Sequence, residues 1–391
     1  MIPIPTAAVD VLIPVYNGAA TIESALCSIQ AQSLRDIRMI LIDDGSTDES
    51  AQIIERMAEQ DGRIVLLRQA NSGIVDALNA GLALCTAPLI ARHDADDLAA
   101  PDRFEKQIAY LEAHPDCSAV SGAVIQIDEA GKAISGIVHL PSPDRSDADR
   151  YPQIEPYLIH PFLMIRHSAL QKMGGYRHVF HAEDTDLYWR LQEVGNLHNM
   201  HDFLGNYRIH TGSVTGSSLL NGRISAVNSQ RSGISALRRR AGRPDIDFPK
   251  DFLAEYKRAG SLEKIVEIGA RDLDAAEAER LAVSSAAKLL ELAGYRPYEI
   301  EDEDCRFINR TLSQALKHLD LDPSNRKLCI RMVAGTSARL IHKRRIAAGL
   351  HLTPFFLYPH VISRVAIRAL LPTYLRKLAQ RMLGRGKGFI K

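Results

Sequence analysis

The sequence predicts an α/β protein, a mostly parallel sheet flanked by helices, followed by a region that is helical nearly throughout. Three observations carry that expectation. Short runs rich in Val and Ile alternate with longer segments of helical spacing over residues 9–127, the rhythm of strand, crossover helix and strand. Clusters of acidic and turn-forming residues fall where those runs end. From about Leu219 onward the strand pattern gives way to helical periodicity.

Taken in order, residues 11–15, 39–42, 64–67 and 89–91 are the first four strands, each followed by enough chain for a crossover helix. Ser46 with Glu49 three residues later has the pattern of a capping box, and Pro101 fits the first turn of a helix running to about His114. A longer strand is expected over 117–127 and a turn at Glu129-Ala130-Gly131-Lys132. Residues 141–157 contain four prolines and read as an irregular loop. A strand near 162–165 and a helix over about 184–194 complete this part. Arg238–Arg240 and Gly242-Arg243-Pro244 mark a break within the helical region. At 391 residues the chain exceeds what one hydrophobic core usually serves, so two domains are expected, 1–218 and 219–391.

The formal net charge of +1 hides an asymmetry. After Asp322 there is no Asp or Glu, whereas Lys and Arg occur fifteen times between Arg326 and Lys391; the remainder holds 33 basic against 47 acidic residues. An acidic body with a basic tail points to an anionic partner. Five widely spaced cysteines (Cys27, Cys85, Cys117, Cys305, Cys329) include no Cys-x-x-Cys pair, so they are expected as buried apolar residues in a reducing compartment. The first ten residues lack a signal-peptide pattern and no apolar stretch is long enough to span a bilayer. The expected address is the cytoplasm, with a peripheral position at the inner face of the plasma membrane.

Four clusters carry chemistry. Pro14-Val15-Tyr16-Asn17-Gly18 ends the first strand, Asp43-Asp44-Gly45-Ser46-Thr47-Asp48 the second, and Asp94-Ala95-Asp96-Asp97 the fourth; Glu183-Asp184-Thr185-Asp186 opens a helix. In open α/β sheets ligands bind at the carboxyl ends of strands. A polyphosphate repels carboxylates unless a cation stands between them, and Mg²⁺ or Mn²⁺ is held by one or two carboxylates plus substrate phosphate. Asp94 and Asp96 can aim at one such ion; a solvated turn or helix cap is the plainer explanation of an isolated Asp-rich strand end. Gly45 and Ser46 explain much of the second cluster as a turn and cap, but not its adjacent carboxylates, one of which, Asp44, could accept from a uracil imide while Tyr16 stacks on the base. The helix dipole alone favours Glu183, Asp184 and Asp186; one of them could equally serve as a general base toward an acceptor hydroxyl. His210 could join a manganese-type site and Arg208 could meet phosphate.

In this order the clusters resemble the family 2 glycosyltransferases of the GT-A fold, over about residues 8–215. The resemblance implies inverting transfer from a nucleotide-diphosphate sugar, most often a UDP-sugar, to a hydroxyl of a saccharide or lipid-linked saccharide in bacterial surface polysaccharide synthesis, with Mn²⁺ or Mg²⁺. It implies Asp184, beside Glu183, as catalytic base, Asp96 with Asp94 as metal ligands and His210 as a further ligand. Tyr16 and Asp44 become base-binding residues, and Pro14, Asn17, Asp43, Asn71, Asp94 and Arg208 complete the donor-binding set. The rival readings are a sugar nucleotidyltransferase, which usually begins with a Gly-rich phosphate loop where Pro-Val-Tyr-Asn stands here, and an inactive nucleotide-binding module, which the presence of both Asp96 and Asp184 disfavours.

Residues 326–391 intersperse Lys and Arg with Ile, Leu, Phe and Val, and Pro354, Pro359 and Pro372 divide them into short helices. Basic helices with an apolar face suit an anionic membrane surface. Too few aromatics are interleaved to stack on bases, so nucleic acid is not an expected partner.

Overall fold

The computed structural model describes residues 7–209, 218–319 and 321–370. It divides into two compact units, one of Met1–Ser146, Glu155–His178 and Glu183–His210, the other of Asp147–Ile154, Val179–Ala182 and Thr211–Lys391. Two short segments from within the first part of the chain count with the second unit, which takes up the chain again from Thr211.

The first unit is built on one sheet. Strands β1 (Val9–Val15), β2 (Ile37–Asp43), β3 (Ile64–Arg68) and β4 (Leu89–Arg92) alternate with helices α1 (Ile22–Gln30), α2 (Ser50–Gln60) and α3 (Ile74–Leu82). They lie in the order β3-β2-β1-β4, all parallel. Every residue of β1 and β2 is buried because the sheet is covered on both faces. Val9, Val11, Ile13 and Val15 pack with α1 and α2, while Leu12, Ile40 and Ile42 pack with α3, the two-residue period of a strand dividing its side chains between two cores. The polar interruptions satisfy each other: Arg38 makes a paired contact with Asp10 at 2.8 and 2.9 Å. Gly81 lets α3 lie directly on the sheet, since a Cβ there would stand 2.3 Å from Leu12 Cδ1.

Beyond β4 the sheet becomes mixed. The chain continues through β5 (Leu98–Ala99), α4 (Arg103–Ala113), β6 (Cys117–Ile127), β7 (Ala133–Val138), β8 (Met164–Arg166), α5 (His167–Met173), α6 (Glu183–Leu191) and β9 (Asn196–Arg208). The order runs on from β4 as β8-β6-β9-β5, with β7 on β6. β8 is antiparallel to both β4 and β6, whereas β6 and β9 are parallel. The expected parallel sheet is thus its first half, and an antiparallel insertion extends it, as in the GT-A fold. The expected capping box at Ser46 is absent: α2 begins at Ser50, and the Ser46 hydroxyl accepts from the Asn17 N–H instead. Cys27 is exposed rather than buried; the other four cysteines are buried and all five are free thiols.

The second unit, among its described residues, holds eight helices: α7 (Leu219–Arg240), α8 (Phe252–Arg258), α9 (Leu262–Gly269), α10 (Ala275–Leu292), α11 (Asp302–His318), α12 (Pro323–His342), α13 (Ile346–Leu352) and α14 (Tyr358–Leu370). α7 is its axis, buried on most of its surface, polar residues included. Arg223 reaches Asp304 at 2.7 Å and Glu301 at 2.6 Å, and Arg231 reaches Asp272 at 2.7 Å. No described helix is long and apolar enough to cross a membrane.

Candidate functional site

Strand register brings the first clusters to one edge of the sheet. Val15 lies opposite Asp43, and Asp43 opposite Arg68, while β4 stops with Arg92 opposite Leu12. The loops after β1 and β2 are then tied together. Asn17, at φ 51, holds the left-handed conformation that Asn tolerates, and its Oδ1 accepts from the Thr47 N–H at 2.8 Å. The Gly18 N–H donates to Ser50 Oγ at 2.8 Å and the Ala19 N–H to Asp48 Oδ2 at 3.0 Å. Tyr16, between these anchors, is 55% exposed with its ring unpacked, an open aromatic face at the sheet edge. Pro14 is buried inside β1, one residue before the strand ends.

Asp43 and Asp44 are both buried and do different work. Asp43 Oδ1 accepts from the Ser46 N–H at 3.1 Å, and its other oxygen lies 3.7 Å from Arg68 Nε. Asp44 accepts from Gln69 Nε2 at 2.7 Å and from the Ser72 and Gly73 N–H groups, each at 2.9 Å. The carboxylate expected to read a base therefore spends most of its acceptor capacity holding loop 69–73. That loop presents Asn71 to solvent. Gly45, at φ +74, permits the approach, because a Cβ there would stand 2.7 Å from the Asn71 nitrogen.

The loop after β4 is the acidic centre. Carboxylate oxygens of Asp94, Asp96 and Asp97 lie within 4.8 Å of one another. Gly18 meets this loop, its Cβ position being 3.5 Å from Ala95 Cβ, so the β1 and β4 loops share one wall. Asp97 was not among the expected ligands. Its Oδ1 accepts from the Arg208 N–H at 2.7 Å, while Oδ2 is buried with no hydrogen-bond partner. Burial, then Asp94 and Asp96, push its carboxyl well above the usual range. Three crowded carboxylates with an unsatisfied buried oxygen suit a hard divalent cation, which relieves the repulsion that otherwise demands a proton.

Beneath the loop stands a cationic support that the sequence reading missed. Arg92, buried at the end of β4, donates to the His93 carbonyl and to Asp94 Oδ1. Arg103 is wholly buried between Phe104 and Phe162, donating to the Arg92 carbonyl at 2.7 Å and facing His93 Nδ1 at 3.2 Å. Burial and the two arginines hold His93 well below its ordinary value, hence neutral.

α6 supplies the second acidic group. Glu183 and Asp184 are partly accessible to solvent yet densely enclosed. Burial first, and Asp184 second, push Glu183 up to about 8; Arg92 opposes this and Asp94 adds to it. Asp184 rises to about 6 through burial, against hydrogen bonds from Thr185, whose N–H donates at 2.7 Å. Glu183 thus lies in the field of both Arg92 and Asp94, which ties α6 to the β4 loop. Asp186 is turned away, clamped between Arg177 and Arg190.

Arg208 braces the acidic loop. Its Nε donates to the Asp96 carbonyl at 2.8 Å and its Nη1 to the Asp128 and Glu129 carbonyls at 2.9 Å. It fixes the acidic loop from behind. His210 lies outside the described residues.

An open α/β sheet whose β4 loop gathers three carboxylates suited to a divalent cation, with a buried carboxyl pair opening α6, has the groups that a metal-assisted group-transfer enzyme uses. The model of the glycosyl transferase family 2 matches residues 10–174. The chain is 33% identical over 218 residues to the amylovoran biosynthesis glycosyltransferase AmsE of Erwinia amylovora, covering 55% of this chain and 79% of that protein. It is 30% identical over 215 residues to the O-antigen biosynthesis glycosyltransferase WbnJ of Escherichia coli, covering 54% and 83%. A mannosyltransferase from Pyrobaculum calidifontis, solved with GDP-Man and Mn²⁺, superposes with a TM-score of 0.49 at 16% identity over 94% of this chain and 88% of that one, a likeness too loose to bear on chemistry. The chain belongs to the family 2 glycosyltransferases and is an enzyme of glycosyl transfer.

Proposed function

We propose that this enzyme moves a sugar, with inversion, from a nucleotide-diphosphate donor, a UDP-sugar, to a hydroxyl of a saccharide or lipid-linked saccharide during assembly of a bacterial surface polysaccharide. The names of two relatives, for amylovoran and O-antigen biosynthesis, support that acceptor class. The observation that carries the mechanism is the carboxyl pair opening α6, both members pushed upward by burial, with Glu183 in the field of Asp94.

Asp94 and Asp96 would hold Mn²⁺ or Mg²⁺, with Asp97 behind them; a bound ion supplies neutralisation of charge on the diphosphate leaving group. Tyr16 stacks on the base, and Asp44 holds loop 69–73 with Asn71 at the same end of the sheet. Asp184, ionised above about pH 6, takes the proton of the acceptor hydroxyl as that oxygen attacks the anomeric carbon. Glu183 keeps its proton to about pH 8, so it adds no second negative charge beside the base. One base and one displacement give inversion. Residues 326–391 attach the enzyme peripherally to anionic membrane, close to a lipid-linked acceptor.

The test is release of free nucleotide from a panel of nucleotide sugars with Mn²⁺ and with chelator, followed by assignment of the product anomer by NMR. Metal-dependent transfer with inverted configuration is expected. Retained configuration, or turnover indifferent to chelator, contradicts the proposal.

A further inference from the structure

We propose that the surface carried by α13, the Phe355–Leu357 turn and α14 is the face that rests on an anionic lipid bilayer, with the aromatic turn entering the headgroup layer. This deepens the membrane reading of residues 326–391 above and rests on it.

The surface is apolar where a helix facing water would be polar. Phe355 is 86% exposed and Ile362 66% exposed. Phe355, Pro359, Ile362 and Ala366, all exposed, recur at intervals of four, three and four and so form one stripe. Leu357 and Val361 are buried on the core side of the same segment, which means α14 packs one apolar stripe and leaves a second bare. Scattered exposed apolar residues need no explanation, but an aligned row ending in a nearly naked Phe does. Beside it lies a groove of about 630 Å³, lined by Arg306 and Arg310 of α11 together with Leu350, Phe355 and Tyr358. Phe355 and Tyr358 meet edge to face at 5.8 Å, forming its lip.

Charge selects the occupant. No acidic residue follows Asp322, while Arg344 and His360 are exposed close to the patch in sequence and Arg306 is exposed in the groove. Of the carboxylates on neighbouring elements, Glu263 is engaged by Arg310 and Glu299 by Lys343 at 2.5 Å and Arg345 at 3.1 Å, Asp302 lies 3.3 Å from His351, and Glu303 of α11 is exposed. An apolar stripe bordered by cations matches a medium with an anionic surface and a hydrocarbon interior. The turn between α13 and α14 gives Phe355 the short reach that shallow insertion requires.

The test uses the full chain with phosphatidylcholine vesicles, with and without phosphatidylglycerol. Wild type is expected to float only with the anionic vesicles, and Phe355→Asp with Ile362→Asp to reduce binding by at least about tenfold per apolar side chain lost, with donor turnover in lipid-free buffer unchanged. Phe355→Trp should shift its emission to the blue on anionic vesicles alone. If wild type binds and the double variant binds equally, the surface proposal is overturned while the broader membrane reading survives. If wild type does not bind, both fall. A lipid-free dimer that the double variant dissolves, with wild type left behind by vesicles, would assign the face to a second copy and overturn the proposal as well.

Discussion

The two units differ in the partners they give their carboxylates. In the helical unit the buried Asp304 and Glu277 and the exposed Asp272 are each met by an arginine, Arg223, Arg238 and Arg231, at 2.5 to 2.7 Å, although burial still pushes the Asp304 carboxyl upward. In the sheet unit Asp97, Glu183 and Asp184 have no cationic side chain at salt-bridge distance among the described residues, and all three carboxyls are pushed upward mainly by burial. The sheet unit also contains compensated acids, since Asp10 meets Arg38 and Asp186 meets Arg177 and Arg190. The uncompensated acids therefore lie in the loop after β4 and at the start of α6. A paired carboxylate has its charge met within the fold; an unpaired one stores a demand for a proton, a cation or a substrate.

The comparison can be broken by substitution. The largest effect is expected from Asp184→Asn, which should lower kcat by about 10²–10⁴-fold with nucleotide affinity unchanged by calorimetry. In wild type, kcat/KM should rise as pH climbs through about 6, where Asp184 loses its proton. An unaltered rate in the variant would remove Asp184 from the chemistry. Next, Arg223→Leu leaves Asp304 and Glu301 without their cation and should cost about 3–5 kcal/mol of stability, read as a lower urea midpoint at constant m. A neutral result would mean that the pairing in α7 is not what distinguishes the units. Tyr16→Ala should raise donor KM by about tenfold, the scale of one base stacked on an aromatic ring, whereas Tyr16→Phe should leave it alone.

The smallest effect is the most specific. Glu183 keeps its proton to about pH 8 in the folded chain but ionises near its ordinary 4.5 when unfolded. The native state then holds more protons across that window, so this group makes stability fall as pH rises through it. In chelator, Glu183→Gln should raise the melting temperature by a few degrees at pH 8 and leave it unchanged at pH 4. A loss of stability at both pH values would show that Glu183 is compensated like the acids of the helical unit.

What was legible in the chain follows from how local each signal is. Strands β1 to β4, α4 and α6 are apolar runs or periodic segments whose pattern needs no distant partner, and the acidic ends of β2 and β4 come together once the parallel order is set. β9 was not foreseen because Asn196–Arg208 is largely polar and its pairing with β6 shifts register three times, which erases the two-residue alternation. Ser46 and Glu49 have the spacing of a capping box but serve the loop, whereas Asp274 and Glu277 form one at the start of α10; the difference lies in the Asn17 N–H that claims Ser46. Arg208 and Asp44 have the chemistry of ligand-binding groups, yet contacts at sequence separations of 112 and 28 turn them into supports. Asp97 and Arg92 were overlooked for the converse reason, since only burial distinguishes them from neighbours in the same motif.

The most direct test is Mn²⁺ binding followed by electron paramagnetic resonance, in the presence of UDP, for wild type, Asp96→Ala and Asp184→Asn. Convergence of the four clusters on one ion and one donor predicts a single tight site per chain in wild type and in Asp184→Asn, lost in Asp96→Ala. Undiminished binding in Asp96→Ala, or no UDP-dependent site in wild type, would contradict it.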